Sequence, residues 1–188
     1  MRIGVKIKFN SPVILVFVAL CFIAMVLSIL TGGVMDGLLF ATYHSSLKDP
    51  LTYVRFFTHV LGHVDWTHLI GNMMYILLLG PLLEERYGGK KILMVILLTA
   101  LATGLVNYFL FPGVALCGAS GICFAFILMA SFTGFRNGQI PVTFILVAIL
   151  YLGQEIYQGI FVSDNISNTA HLIGGLIGSV IGYRFGKR

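Results

Sequence analysis

Ser120 stands between two glycines in the segment Cys117-Gly118-Ala119-Ser120-Gly121. Serine is a poor nucleophile until a base removes its proton, and neutral histidine is the usual base at about pH 7. His171 is the candidate base. Gly118 and Gly121 permit a tight turn and a close approach of substrate backbone. His68 and Asn72 lie at i and i+4, on one face of a helix, and both donate hydrogen bonds of the kind an oxyanion needs. No acidic residue stands near His171 in sequence apart from Asp164, so a Ser-His dyad suits the chain better than a triad. Each residue also has a plainer reading. A lone serine in an apolar helix commonly bonds back to its own backbone. A lone histidine at a helix end is commonly a satisfied interface group, and Asn72 is also suited to holding two helices together.

Those plainer readings weaken once the elements that carry the residues are placed. The chain has 188 residues, 58% hydrophobic and 10% charged, and its mean hydropathy is +0.97. Soluble domains carry about 25% charged residues, so this chain reads as an all-α membrane protein. Six apolar spans are expected at 12–30, 67–87, 91–111, 119–135, 140–161 and 167–185, each of roughly the 20 residues that a helix crossing hydrocarbon requires. The fourth is the shortest. The first lacks a clear small-residue cleavage site and is expected to stay as a helix. The long connection 31–66 contains Leu38, Leu39, Phe40, Tyr53, Phe56, Phe57 and Trp66, and is expected to lie at the interface as short helices packed on the bundle.

Arg2, Lys6, Lys8, Arg86, Lys90, Lys91, Arg136, Arg184, Lys187 and Arg188 all fall on one side of this arrangement, and Lys48 and Arg55 on the other. The positive-inside rule then places both termini in the cytoplasm. His68 and Asn72 enter from the outside on the second span, Ser120 begins the fourth, and His171 lies near the start of the sixth. Four polar residues from three helices thus share one depth, on the order of 10 Å or less below the outer surface at ~1.5 Å rise per residue. Such residues face a bundle interior or a water-filled cavity. His171 also shares a face with Gly174, Gly178 and Gly182, a stripe that lets two helices approach closely. Packing of that stripe on the fourth span would bring His171 to Ser120.

The remaining features narrow the function class. The net charge of +5 sits beside apolar runs, where topology explains it, and no nucleic-acid partner is expected. Cys21, Cys117 and Cys123 show no metal-binding spacing and read as small core residues. His59 and His63 are four apart, but His59-Val60-Leu61-Gly62-His63 lacks the glutamate of a zinc-protease helix, so no metal is expected. A channel would carry polar groups at several depths, whereas these gather near one side. Glu155, near the outer end of the fifth span, reads as reaching the interface.

The residues resemble the rhomboid intramembrane serine proteases over most of the chain, from about Arg55 to Gly182. Arg55-Phe56-Phe57-Thr58-His59 with His63, His68 and Asn72 is similar to the family's first-loop and second-helix signature. Gly118-Ala119-Ser120-Gly121 matches its GxSG motif, and Ala170-His171-Leu172-Ile173-Gly174 with Gly178 matches that of its last helix. The GxSG motif alone is weak; three motifs on the expected helices are strong. Catalytically dead relatives lack the serine or the histidine, and this chain has both.

The resemblance implies one domain, 1–188, a rhomboid-like bundle of six transmembrane helices with a membrane-associated first loop. It implies Ser120 as nucleophile, His171 as general base, and an oxyanion hole from the Ser120 N–H with His68 and Asn72. It marks Arg55 and His63 as structural, and Glu84 with Arg86 as a pair tying helices together. The loop 162–168 would cap the site. Phe124 stands where better-known members often have tyrosine; its ring could still stack on His171. Val54 stands where an aromatic residue is common. No cofactor is implied, nor any oligomeric state. The expected partners are single-span membrane protein substrates and membrane lipid. The expected place is a cell membrane, multi-pass, with the site towards the outer leaflet; short cytoplasmic ends suit a bacterial plasma membrane.

Overall fold

The computed structural model describes residues 9–132, 139–161 and 165–186. They form seven α-helices: α1 (Pro12–Leu30), α2 (Pro50–Thr58), α3 (Trp66–Tyr87), α4 (Gly89–Leu110), α5 (Ser120–Ser131), α6 (Val142–Phe161) and α7 (Asn165–Gly186). Among these, α1, α3 and α4 are long and apolar enough to cross a membrane, and α5 is a shorter apolar helix. The first span begins and ends as expected. α3 and α4 begin one and two residues earlier, because Asp65 caps α3 and Gly88, at φ +87°, separates the two helices. α5 starts one residue after the expected 119 and its α-helix ends at Ser131. Residues 133–135 of that expected span lie outside the described residues.

Outward faces carry Leu30, Met74, Leu78, Leu82, Leu110 and Leu150, all largely exposed. In a bilayer these side chains meet lipid tails. The buried faces of α1, α3, α4 and α5 build one core around Ile14, Leu69, Ile76, Ile92, Ile122 and Phe126. α1 and α3 meet at Gly80, where a Cβ would come within 2.6 Å of Ile14 Cδ1. α1 starts with proline, which has no N–H to satisfy. The next two N–H groups, of Val13 and Ile14, donate to the Glu84 carboxylate at 3.1 and 3.0 Å. Glu84, buried at the last turns of α3, therefore caps a helix that begins about 70 residues earlier. Arg86 does not share that contact: it is exposed, its guanidinium 5.5 Å from the centre of the Tyr87 ring. The expected tie between helices rests on Glu84 and two main-chain N–H groups.

The connection 31–65 is structured. A π-helical turn (Asp36–Phe40) leads to α2, which Asp49 caps by accepting from the Leu51 N–H at 3.0 Å. Phe40 and Phe56 are buried, whereas Tyr53, Phe57 and Trp66 stay about half exposed. Arg55 is 2% exposed. Its guanidinium donates to Leu38 O at 3.2 Å, Ser45 Oγ at 3.0 Å and Asp49 Oδ2 at 2.9 Å, and lies 4.7 Å from the Tyr43 ring centre. A buried charge needs such partners. The Leu51 N–H, then Arg55, hold the Asp49 carboxyl below its ordinary range. Arg55 is thus a structural post for the connection.

Candidate active site

Ser120 is the first residue of α5, so its N–H belongs to the helix-terminal donors without an intrahelical acceptor. The turn before it is fixed from three sides. Leu116 and Thr42 exchange both main-chain hydrogen bonds at 2.9 Å, the Gly118 N–H donates to His59 O at 3.0 Å, and Asn107 Nδ2 donates to Thr42 O at 3.0 Å and Val114 O at 3.1 Å. Gly118 has φ +125°, which side-chain-bearing residues rarely adopt. A Cβ there would also lie 2.7 Å from His68 Cε1. Glycine at this position both permits the turn and leaves space for the imidazole.

The glycine stripe of α7 packs on α5. A Cβ at Gly174 would lie 1.9 Å from Gly121 O, and one at Gly178 would lie 2.1 Å from Ala125 O. The two backbones touch, and no larger residue fits without moving a helix. This contact brings the α7 face that carries His171 to the start of α5. The Phe124 ring lies 4.3 Å from the His171 ring, centre to centre, at 42°. An aromatic ring so placed restricts the imidazole's orientation.

Ser120, His171, His68 and Asn72 line one cavity of about 500 Å³, with Tyr75 and Phe124 among its other walls. α3 contributes His68 and Asn72 one turn apart, α5 contributes Ser120, and α7 contributes His171. His68 owes its place to Asp65, whose carboxylate accepts the His68 main-chain N–H at 2.7 Å. Among the described residues, buried side-chain nitrogens at or beside the cavity that lack a partner include His68 Nδ1, Asn72 Nδ2 and His63 Nε2. His63 stands edge-on to His68 at 5.0 Å, its Nδ1 3.1 Å from Leu61 O. Burial, reinforced by His68, lowers the His63 pKa to about 4, so it is neutral at neutral pH.

His59 is not placed for catalysis. It is buried, with ring nitrogens 3.0 Å from Arg55 O and 3.1 Å from Thr103 Oγ1, and burial lowers its pKa to about 4. It joins α2 to α4 and presents its carbonyl to Gly118. The three cysteines are free, and burial pushes the Cys117 thiol up to about 11, far from thiolate reactivity. The side chain of Glu155 and the loop at 162–164, part of the expected cap, lie outside the described residues. Sequence reasoning missed Thr42 and Asn107, which hold the Ser120 turn. Asn107, a polar residue inside an apolar span, was a readable signal; Thr42 gave none.

A family model described as Rhomboid domain matches residues 50–188. Rhomboid-related protein 2 of Mus musculus is 32% identical over 158 residues, 73% of this chain and 52% of that protein. The Rhomboid protease GlpG of Yersinia pestis is 28% identical over 179 residues, 92% of this chain and 62% of its own length. The Rhomboid protease GlpG of Haemophilus influenzae is 22% identical over 178 residues, 93% of this chain and 91% of its own length. The chain thus spans about half the mouse protein and about three-fifths of the Yersinia one.

Proposed function

The chain belongs to the rhomboid family, and from that premise we propose that it is an intramembrane serine endopeptidase that cleaves single-span membrane proteins in or near their transmembrane segment. The observation that carries this reading is the common cavity of Ser120, His171, His68 and Asn72, with the buried Asn72 Nδ2 donor and a buried ring nitrogen of His68 lacking partners. Leaving such a donor unpaired costs about 1–3 kcal/mol. A site that binds developing negative charge gives that cost a use.

In the proposed reaction His171 takes the Ser120 proton as Oγ attacks the scissile carbonyl. The oxyanion is held by the Ser120 N–H, His68 and Asn72 Nδ2. His171 then protonates the leaving amine, and water, activated by the same histidine, releases the acyl group and restores Ser120. Neutral His63, edge-on to His68, adds no competing charge. Residues with weak helicity in the substrate span would expose the peptide bond. The charge distribution supports cytoplasmic termini and a site towards the outer leaflet. The test is cleavage of a single-span substrate by purified, reconstituted protein. Ser120→Ala and His171→Ala are each expected to abolish it while leaving the protein folded. Undiminished cleavage by Ser120→Ala would overturn the reading, as would loss of activity on chelation.

A further inference from the structure

Asn72 is 7% exposed, and its carboxamide has two unlike ends. Only one orientation serves an oxyanion: Nδ2 towards the cavity, Oδ1 away. The reverse would aim a carbonyl oxygen at the developing charge. Nothing within Asn72 itself distinguishes the two, because the ends are nearly equal in shape. The selection must come from a neighbour that bonds to one end.

Cys123 is that neighbour. One turn beyond Ser120 on α5, it is buried and lines the same cavity. Its Sγ lies 3.6 Å from Asn72 Oδ1 and 3.5 Å from Asn72 O. Both are acceptors, so the S–H donates to them, and the thiol proton is shared between the two. The carboxamide oxygen is thereby held against α5. Nδ2 is left buried and unpartnered, and a Cβ on Gly118 would lie 3.9 Å from it, so it stands beside the turn that leads into Ser120. With Nδ2 against the sulfur instead, the thiol proton would be left with Asn72 O alone, and a weaker N–H···S contact would replace its bond to Oδ1. The same helix that carries the nucleophile thus also sets the direction of an oxyanion donor on α3.

We propose that Cys123 is a positioning residue for the oxyanion hole, selecting the productive orientation of the Asn72 amide through its S–H. The inference rests on the serine-protease reading above. A thiol is a weak donor, so its effect is a fraction of that of the donor it orients. Cys123→Val, similar in size but without a donor, is expected to lower kcat roughly three- to tenfold with KM unchanged, against a loss of about 10²-fold for deleting an oxyanion donor. Cys123→Ser, which keeps an O–H donor, is expected to recover most of that rate. In an Asn72→Ala background, Cys123→Val is expected to have no further effect, because its only route to catalysis is gone. Rates and unfolding temperatures of these variants in liposomes, on one single-span substrate, give the answer; Cys123→Ala carries the same comparison should the valine variant not fold. A multiplicative loss in the double variant overturns the inference, as does equal impairment of Cys123→Ser and Cys123→Val. Fluorophosphonate labelling of Ser120 separates the two levels. Wild type that neither labels nor cleaves sinks the protease reading itself, whereas labelled wild type with independent Cys123 and Asn72 effects sinks only the role of Cys123.

Discussion

Near opposite ends of α3, Glu84 and the pair His68 and Asn72 hold buried polar atoms in opposite ways. In its last turns Glu84 gives both carboxylate oxygens to main-chain N–H groups of α1. In its first turns His68 and Asn72, which line a cavity with Ser120 and His171, keep buried nitrogens without partners. The Glu84 carboxylate is satisfied and serves stability; the Asn72 and His68 nitrogens are left open and serve, in our reading, an oxyanion that exists only during reaction. The energetics differ accordingly. A satisfied buried group is costly to remove, whereas an unsatisfied one is costly to keep.

Substitutions at the two ends break this comparison if it is wrong. The largest expected effect is that of Asn72→Ala on catalysis, a loss of about 10² in kcat with folding stability changed by less than about 1 kcal/mol. Kinetics and thermal unfolding on one preparation check it; a large loss of stability with catalysis intact would reverse the assignment. Glu84→Ala is expected to do the opposite, destabilising by roughly 2–4 kcal/mol because two α1 N–H groups lose a charged acceptor. Its correctly folded fraction should label with fluorophosphonate at the wild-type rate, and a catalytic defect in that fraction would contradict the separation of roles.

Acid sharpens the same contrast at His59 and His63, buried and neutral beside the Ser120 turn. Their folded pKa values of about 4 lie below the ordinary 6.5, so the unfolded chain takes up protons first. Their stability contribution is complete above pH 6.5 and is lost as pH falls through about 4. The expected slope within that window is roughly 1.4 kcal/mol per pH unit for each histidine. A flat unfolding profile from neutrality to the acid side of the window would show that they are not held neutral. The smallest effect is expected for Glu155→Gln, a modest change in cleavage rate, because an acid near a span's end reaches the interface. A loss comparable to Ser120→Ala would make Glu155 part of the machinery.

Much of this arrangement was legible before folding. Apolar runs gave the spans, with α1 as expected and α3 and α4 displaced by two residues or fewer at their starts. Gly174 and Gly178 share a face with His171, and periodicity alone said that this face would meet another helix. The illegible parts depend on contacts between residues far apart in the chain. Glu84 meets Val13 and Ile14, Asn107 meets Thr42, and Cys123 meets Asn72, each across a separation of 50 residues or more. No local pattern encodes such partners. Arg55 misled in a specific way: counted as an external charge, it is buried and paired with Asp49, and so carries little topological information.

The central claim is that Ser120 is a nucleophile activated by His171. Its most direct measurement is fluorophosphonate labelling of the reconstituted protein, with the modified peptide identified by mass. Wild type is expected to carry one label, on Ser120, and neither Ser120→Ala nor His171→Ala to label at a comparable rate. Labelling at another residue, or equal labelling of His171→Ala, would contradict the account.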